Sequence, residues 1–219
     1  MRILTGSTLA FLFLVAPFGT TPAASSPSAF DAPRPLIESE GVSLRASETT
    51  RGMFPVAGFD FRNASWLMEH DAVRSSEDLP ILSDDGKVLT RLTTIQGLEV
   101  VLGYFFGDDG LFEGGAYFFE LGSGNTRQQL AAYRMVRVSL LRNFGDPLRT
   151  RLIWSDETYK GDADNWLKAL RLGHVAVEAF WRVDGTIIRH KLSSAGQDGF
   201  LHALNYAHAG RLAADSAAD

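Results

Sequence analysis

The chain has 219 residues, 45% of them hydrophobic and 21% charged, an ordinary globular composition. Its formal net charge of −5 lacks the basic surplus that nucleic-acid binding needs to displace the counterions around phosphate. There is no cysteine, which excludes disulfides, thiol chemistry and a lipid anchor on an acylated cysteine.

Met1-Arg2 gives a short positive start, and Leu9 to Ala16 forms an apolar run too short to remain as a bilayer anchor. Small residues follow. The pattern predicts a signal peptide over 1–24, cleaved between Ala23 and Ser26, and a product in the periplasm or medium. No later stretch is long and apolar enough to span a membrane. Residues 25–58 are rich in Ser, Pro, Thr and Ala without a sustained period and read as a flexible tether.

Order is expected from Phe59. Trp66, Leu67 and Val73 fit a short helix ended by Pro80, and Lys87 to Ile95 alternates like a strand. From Leu98 to Glu120 the period is two on either side of Gly107-Asp108-Asp109-Gly110, which predicts a β-hairpin near the middle of a sheet. Leu130, Tyr133, Val136, Leu140, Leu141 and Phe144 then recur at helical spacing over Arg127 to Gly145, with Asn125 or Thr126 as N-cap and Gly145 as C-cap. Strands are expected around Arg149, over Val175 to Val183 and Thr186 to Ser194 about an Asp184-Gly185 turn, and over Phe200 to His208. A short helix closed by Gly173 lies between the first two. Residues 209–219 read as a frayed tail.

Helix, strand and hairpin therefore occur twice. The fold class expected is α+β: two αβββ-type repeats, 59–122 and 123–208, in one domain over 59–208. Helices should pack on one face of an antiparallel sheet, and the units should share a core that neither could bury alone.

Four stretches, "WLMEHDAV", "LGYFFGDDGLFEGGAYFF", "LLRNFGDP" and "FWRVDGTIIRHKL", give the chain an arrangement that resembles the tandem helix-plus-sheet repeats of the β-lactamase inhibitory protein type. It is also similar to the single unit of SmpA/OmlA-type outer-membrane assembly proteins. The resemblance spans Phe59 to His208 and implies a secreted, non-catalytic binding module. The disulfides of the first family and the lipidated cysteine of the second have no counterpart here.

His190 and His202 lie on neighbouring predicted strands and could approach as a metal or acid–base pair; the competing reading is two half-buried histidines with backbone partners. No H-E-x-x-H spacing supports a metal, and no cofactor motif occurs. Asp84-Asp85 and Asp108-Asp109 lack the calcium-loop pattern and read as solvated turns. Gly122 to Thr126 lacks the Walker lysine. With no cysteine and no G-x-S-x-G, nucleophilic catalysis has no candidate.

Arg137 falls inside the apolar helical stripe. It is either an anion contact or a side chain that snorkels or pairs with a carboxylate of the first unit. Residues 59–124 carry 12 acidic and 4 basic side chains, and residues 125–208 carry 8 and 12. Tyr104, Phe106, Tyr117, Phe119 and Trp181, with Phe180, are aromatic enough for a partner surface, although the same alternation also fits a core. The expectation is an exported protein, not an enzyme, that binds another protein or a cell-envelope component through its sheet. A secreted hydrolase inhibitor is the nearest alternative, and an enzyme the third.

Overall fold

The computed structural model describes residues 54–55, 57–95, 97–119, 126–196 and 199–211. The predicted signal peptide, nearly all of the tether, Asn125 and most of the tail lie outside the described residues.

Eight strands form one antiparallel sheet, which with its few helices makes a mixed α+β fold. The strands are β1 (Ile81–Asp84), β2 (Val88–Ile95), β3 (Leu98–Phe106), β4 (Phe112–Phe119), β5 (Arg149–Trp154), β6 (Val175–Val183), β7 (Thr186–Ser194) and β8 (Phe200–His208). The complete helices among the described residues are α1 (His70–Ser75), α2 (Thr126–Phe144) and α3 (Trp166–Leu172). Across the sheet the order is β1-β2-β3-β4-β8-β7-β6-β5. Each run of four is a meander, and the last strands of the two runs, β4 and β8, meet at the centre, with Tyr117 opposite Leu204.

Local chemistry explains the turns. Asp184 and Gly185 both have positive φ, 44° and 82°, as a type I′ turn requires. Gly145 ends α2 at φ 71° and donates its N–H to the Leu141 carbonyl. The predicted hairpin occupies the third and fourth of the eight positions.

Two expectations need correction. The first helix starts at His70, later than the Trp66-Leu67 pair. Leu67 has φ 67° and Trp66 is tied elsewhere, its N–H to the Asp60 carboxylate and its indole N–H to Thr186 Oγ1, both at 2.9 Å. The strand β1 was not expected. Its four residues, ILSD, are too few to show a period, and it is an edge strand that leaves Ile81 and Leu82 exposed.

The alternation along the strands gives the sheet two unlike faces. On one, Leu102, Tyr104, Tyr117, Leu204, Tyr206, Ile188 and Trp181 are buried in a core that also contains Val136 and Leu140 of α2. A second cluster beside it joins Leu130 and Tyr133 of α2 and Trp166, Ala169 and Leu170 of α3 to Val177, Leu192 and Phe200. Phe61 is fully buried, and a Cβ on Gly115 of β4 would come within 2.6 Å of its ring. The glycine is what lets the segment before α1 lie directly on the strand.

Candidate functional site

The covered face holds the histidine pair. His190 on β7 is registered with Leu204, and His202 on β8 with Leu192, so the two are diagonal neighbours. Their Nε2 atoms are 2.8 Å apart and both residues are fully buried. One ring must therefore donate and the other accept. Each is stacked on an aromatic ring: His190 on Tyr133 at 4.3 Å and His202 on Phe119 at 4.2 Å between centroids. Burial lowers the His202 pKa to about 3, and burial, His202 and Arg137 hold His190 well below its ordinary value. Both are neutral at pH 7. Neither Nδ1 has a hydrogen-bond partner, so the backbone partners expected of buried histidines are replaced by the contact of the two rings.

Arg137 lies in the same layer, 7% exposed. Its Nη2 donates to Thr150 Oγ1 of β5 at 3.2 Å, its guanidinium sits 5.3 Å from the centre of the Trp181 ring, and its Nη1 is buried without a partner. Burial lowers its pKa. Among the described residues it forms no ion pair, so the expected carboxylate from the first unit is replaced by a hydroxyl and a ring of the second half.

Tyr104, Phe106, Tyr117, Phe119 and Trp181 are each 5% exposed or less, all on this covered face. As a partner surface they are a correction: the helices and the segment before α1 take up the face they line. Tyr104 is also fixed at its tip, donating to Glu77 Oε1 at 3.0 Å, while Arg62 Nε donates to both Glu77 oxygens at 2.8 and 2.9 Å. Glu77 borders an open cleft of about 540 Å³ with Asp71, Arg74, Asp78 and Arg91. The Arg91 guanidinium is spent on the Leu79 and Arg74 carbonyls, so this cleft is framed by groups that clasp loops.

The acidic turns are occupied within the fold. Asp108 pairs with Lys87, Asp109 with Arg211, and Asp84 with His70 and Arg74.

Charge accessible from outside collects on the other face. Register aligns Arg149, Phe180 and Arg189 in one row across β5, β6 and β7, and Arg151, Glu178 and Lys191 in the next. The Glu178 side chain is fully buried between its neighbours. Arg151 donates to Oε2 through Nε at 2.9 Å and Nη2 at 2.8 Å, and Arg189 donates to Oε1. Burial works to raise the Glu178 pKa, but the two guanidiniums outweigh it and bring it below its ordinary value. Both guanidiniums also lie over the Phe180 ring, at 5.1 and 5.9 Å. Burial, then Arg189, lowers the pKa of half-buried Lys191. Neither apolar core includes a residue of this face.

This cluster was missed in the sequence. Glu178 alternating with Val177 and Ala179, and Arg189 and Lys191 alternating with Ile188, His190 and Leu192, mark it as one face of a hairpin. Arg151 joins only through the β5–β6 pairing, which no local pattern announces.

No family model matches the chain, and no curated protein matches it. Among solved structures it is similar to the crystal structure of a DUF4309 family protein, YjgB, from Bacillus subtilis subsp. subtilis str. 168, at 13% identity and a TM-score of 0.36. The match covers 73% of this chain and 90% of that one. No helix among the described residues is long and apolar enough to cross a membrane.

Proposed function

We propose that this chain is an exported, non-catalytic binding protein that contacts another protein or a cell-envelope component through the face of its sheet that no helix among the described residues covers, hereafter the uncovered face. One observation carries the reading: the covered face encloses its polar groups among rings, whereas the other face holds Arg149, Arg151, Arg189 and Lys191 at accessible or half-buried positions around one buried acid. The signal-like start supports export. The strand order supports a two-unit reading, because each half is a helix-bearing segment and a meander, and the halves meet at β4 and β8. Residues of both halves lie in one core, as a shared core requires.

The test is affinity capture from envelope extract by the mature chain and by an Arg149→Glu/Lys191→Glu variant shown to retain its circular dichroism. A species bound by the parent and lost by the variant supports the reading. The same bound set for both contradicts it.

A further inference from the structure

The uncovered face has more positive charge than it uses. Arg151 and Arg189 are spent on Glu178. Arg149, Arg182 and Lys191 form no ion pair among the described residues, and Arg189 Nε is buried without a partner. Five cations therefore share a face in which the local acid, Glu178, is already saturated.

Their spacing is informative. Arg149 and Arg151 are two residues apart on β5, and Arg189 and Lys191 two apart on β7, so each pair is separated by about 7 Å. The two strands flank β6, which sets the pairs about 10 Å apart. The four charges mark the corners of a rectangle whose centre is filled by Glu178 and Phe180. They do not converge on a point, so one small anion could not meet them all. A surface carrying many mobile anionic groups could.

Exposed aliphatic side chains border the rectangle. Ile153, on the same face of β5 as Arg151, is 39% exposed, and Leu201, on that face of β8, is 42% exposed. Cations interleaved with exposed aliphatic groups suit an interface with both charge and hydrocarbon, where attraction to anionic headgroups adds to apolar burial.

We infer that the β5–β6–β7 part of the uncovered face docks on an anionic phospholipid surface, with Arg149, Arg182 and Lys191 meeting the headgroup phosphates and Ile153 and the neighbouring Leu201 entering the headgroup layer. This deepens the sheet-binding reading and rests on it.

The experiment is sedimentation of the full mature chain with vesicles of phosphatidylcholine alone or with about 30% phosphatidylglycerol, a leaflet charge sufficient to attract basic segments. The mature chain should bind the anionic vesicles only. Binding should fall about fivefold for each cation removed, and should vanish near 0.5 M salt, where the screening length is about 4 Å. Arg149→Glu/Arg182→Glu, at two exposed positions, should lose binding without losing the fold; Ile153→Ser/Leu201→Ser should weaken it at constant charge.

Equal sedimentation with both vesicle types, or anionic binding that the Arg149→Glu/Arg182→Glu variant retains, would overturn the inference. So would binding to soluble polyphosphate without binding to vesicles, which would make the ligand a polymer. If vesicle binding is absent while capture from extract still depends on Lys191, the lipid inference falls and the sheet-binding reading stands. If neither depends on the face, both fall.

Discussion

The two faces of the sheet both bury ionisable groups, and they deal with them in opposite ways. On the covered face His190 and His202 touch through Nε2 and are held neutral, and Arg137 beside them has a hydroxyl and a ring instead of a carboxylate. On the other face Glu178 is equally buried but stays charged, because two guanidiniums reach it. Burial removes the charge of a histidine where no counterion is within reach, leaves Arg137 charged beside a ring, and preserves the charge of a carboxylate that guanidiniums reach. The covered face is thus committed to packing, while the other keeps charge available to a partner.

The largest break in this contrast should come from placing a charge on the covered face. Leu140 is fully buried in the core that joins both halves. Leu140→Asp should cost about 4 kcal/mol or more, a large share of the roughly 5–15 kcal/mol of a typical domain. Denaturant unfolding should show the loss in one transition; two separate transitions would mean the halves do not share that core.

Acid should act on the same face more gradually. A histidine whose pKa is lowered by folding contributes stability that is present above its unfolded value, near 6.5, and is lost as pH falls toward the folded one. With His202 at about 3, the window runs from about pH 6.5 downward. Between pH 7 and pH 5 His202 alone should cost about 2 kcal/mol, and His190 adds in the same direction. Urea unfolding across that range should show the slope in the parent and its loss in His190→Leu/His202→Leu. An equal slope in both would mean the pair is not held neutral.

The smallest effects should come from the uncovered face. Glu178→Gln leaves two partly exposed guanidiniums with a neutral partner and should cost about 1–2 kcal/mol. Arg149→Ser, at an exposed position without an ion pair, should stay within about 0.5 kcal/mol. A thermal melt in which Arg149→Ser is the more damaging of the two would reverse this assignment.

The sequence made some of this legible and concealed the rest for physical reasons. Asp184-Gly185, Gly145 and the Leu130-to-Phe144 stripe act through neighbours in the chain, so the β6–β7 turn and α2 could be read directly. The approach of His190 to His202 followed from the short connection between β7 and β8. The period of two shows that Tyr104 and Phe106 share a face, but the covering of that face depends on α2 and Phe61, which lie elsewhere in the chain. For the same reason the sequence alone leaves these aromatic residues open to a surface reading. Glu77 depends on Arg62 and Tyr104, and Arg137 on Thr150 and Trp181, all brought in by folding rather than by spacing.

The division of labour between the faces is open to one direct measurement. The chain's four lysines are Lys87, Lys160, Lys168 and Lys191, and Lys191 lies in the charged rows of the uncovered face. Amine labelling of the mature chain, free and in envelope extract, followed by mass spectrometry, reads all four at once. Lys191 alone should become protected in the extract. Unchanged labelling at Lys191, with protection at Lys160, before α3, or at Lys168, on α3, would contradict this division.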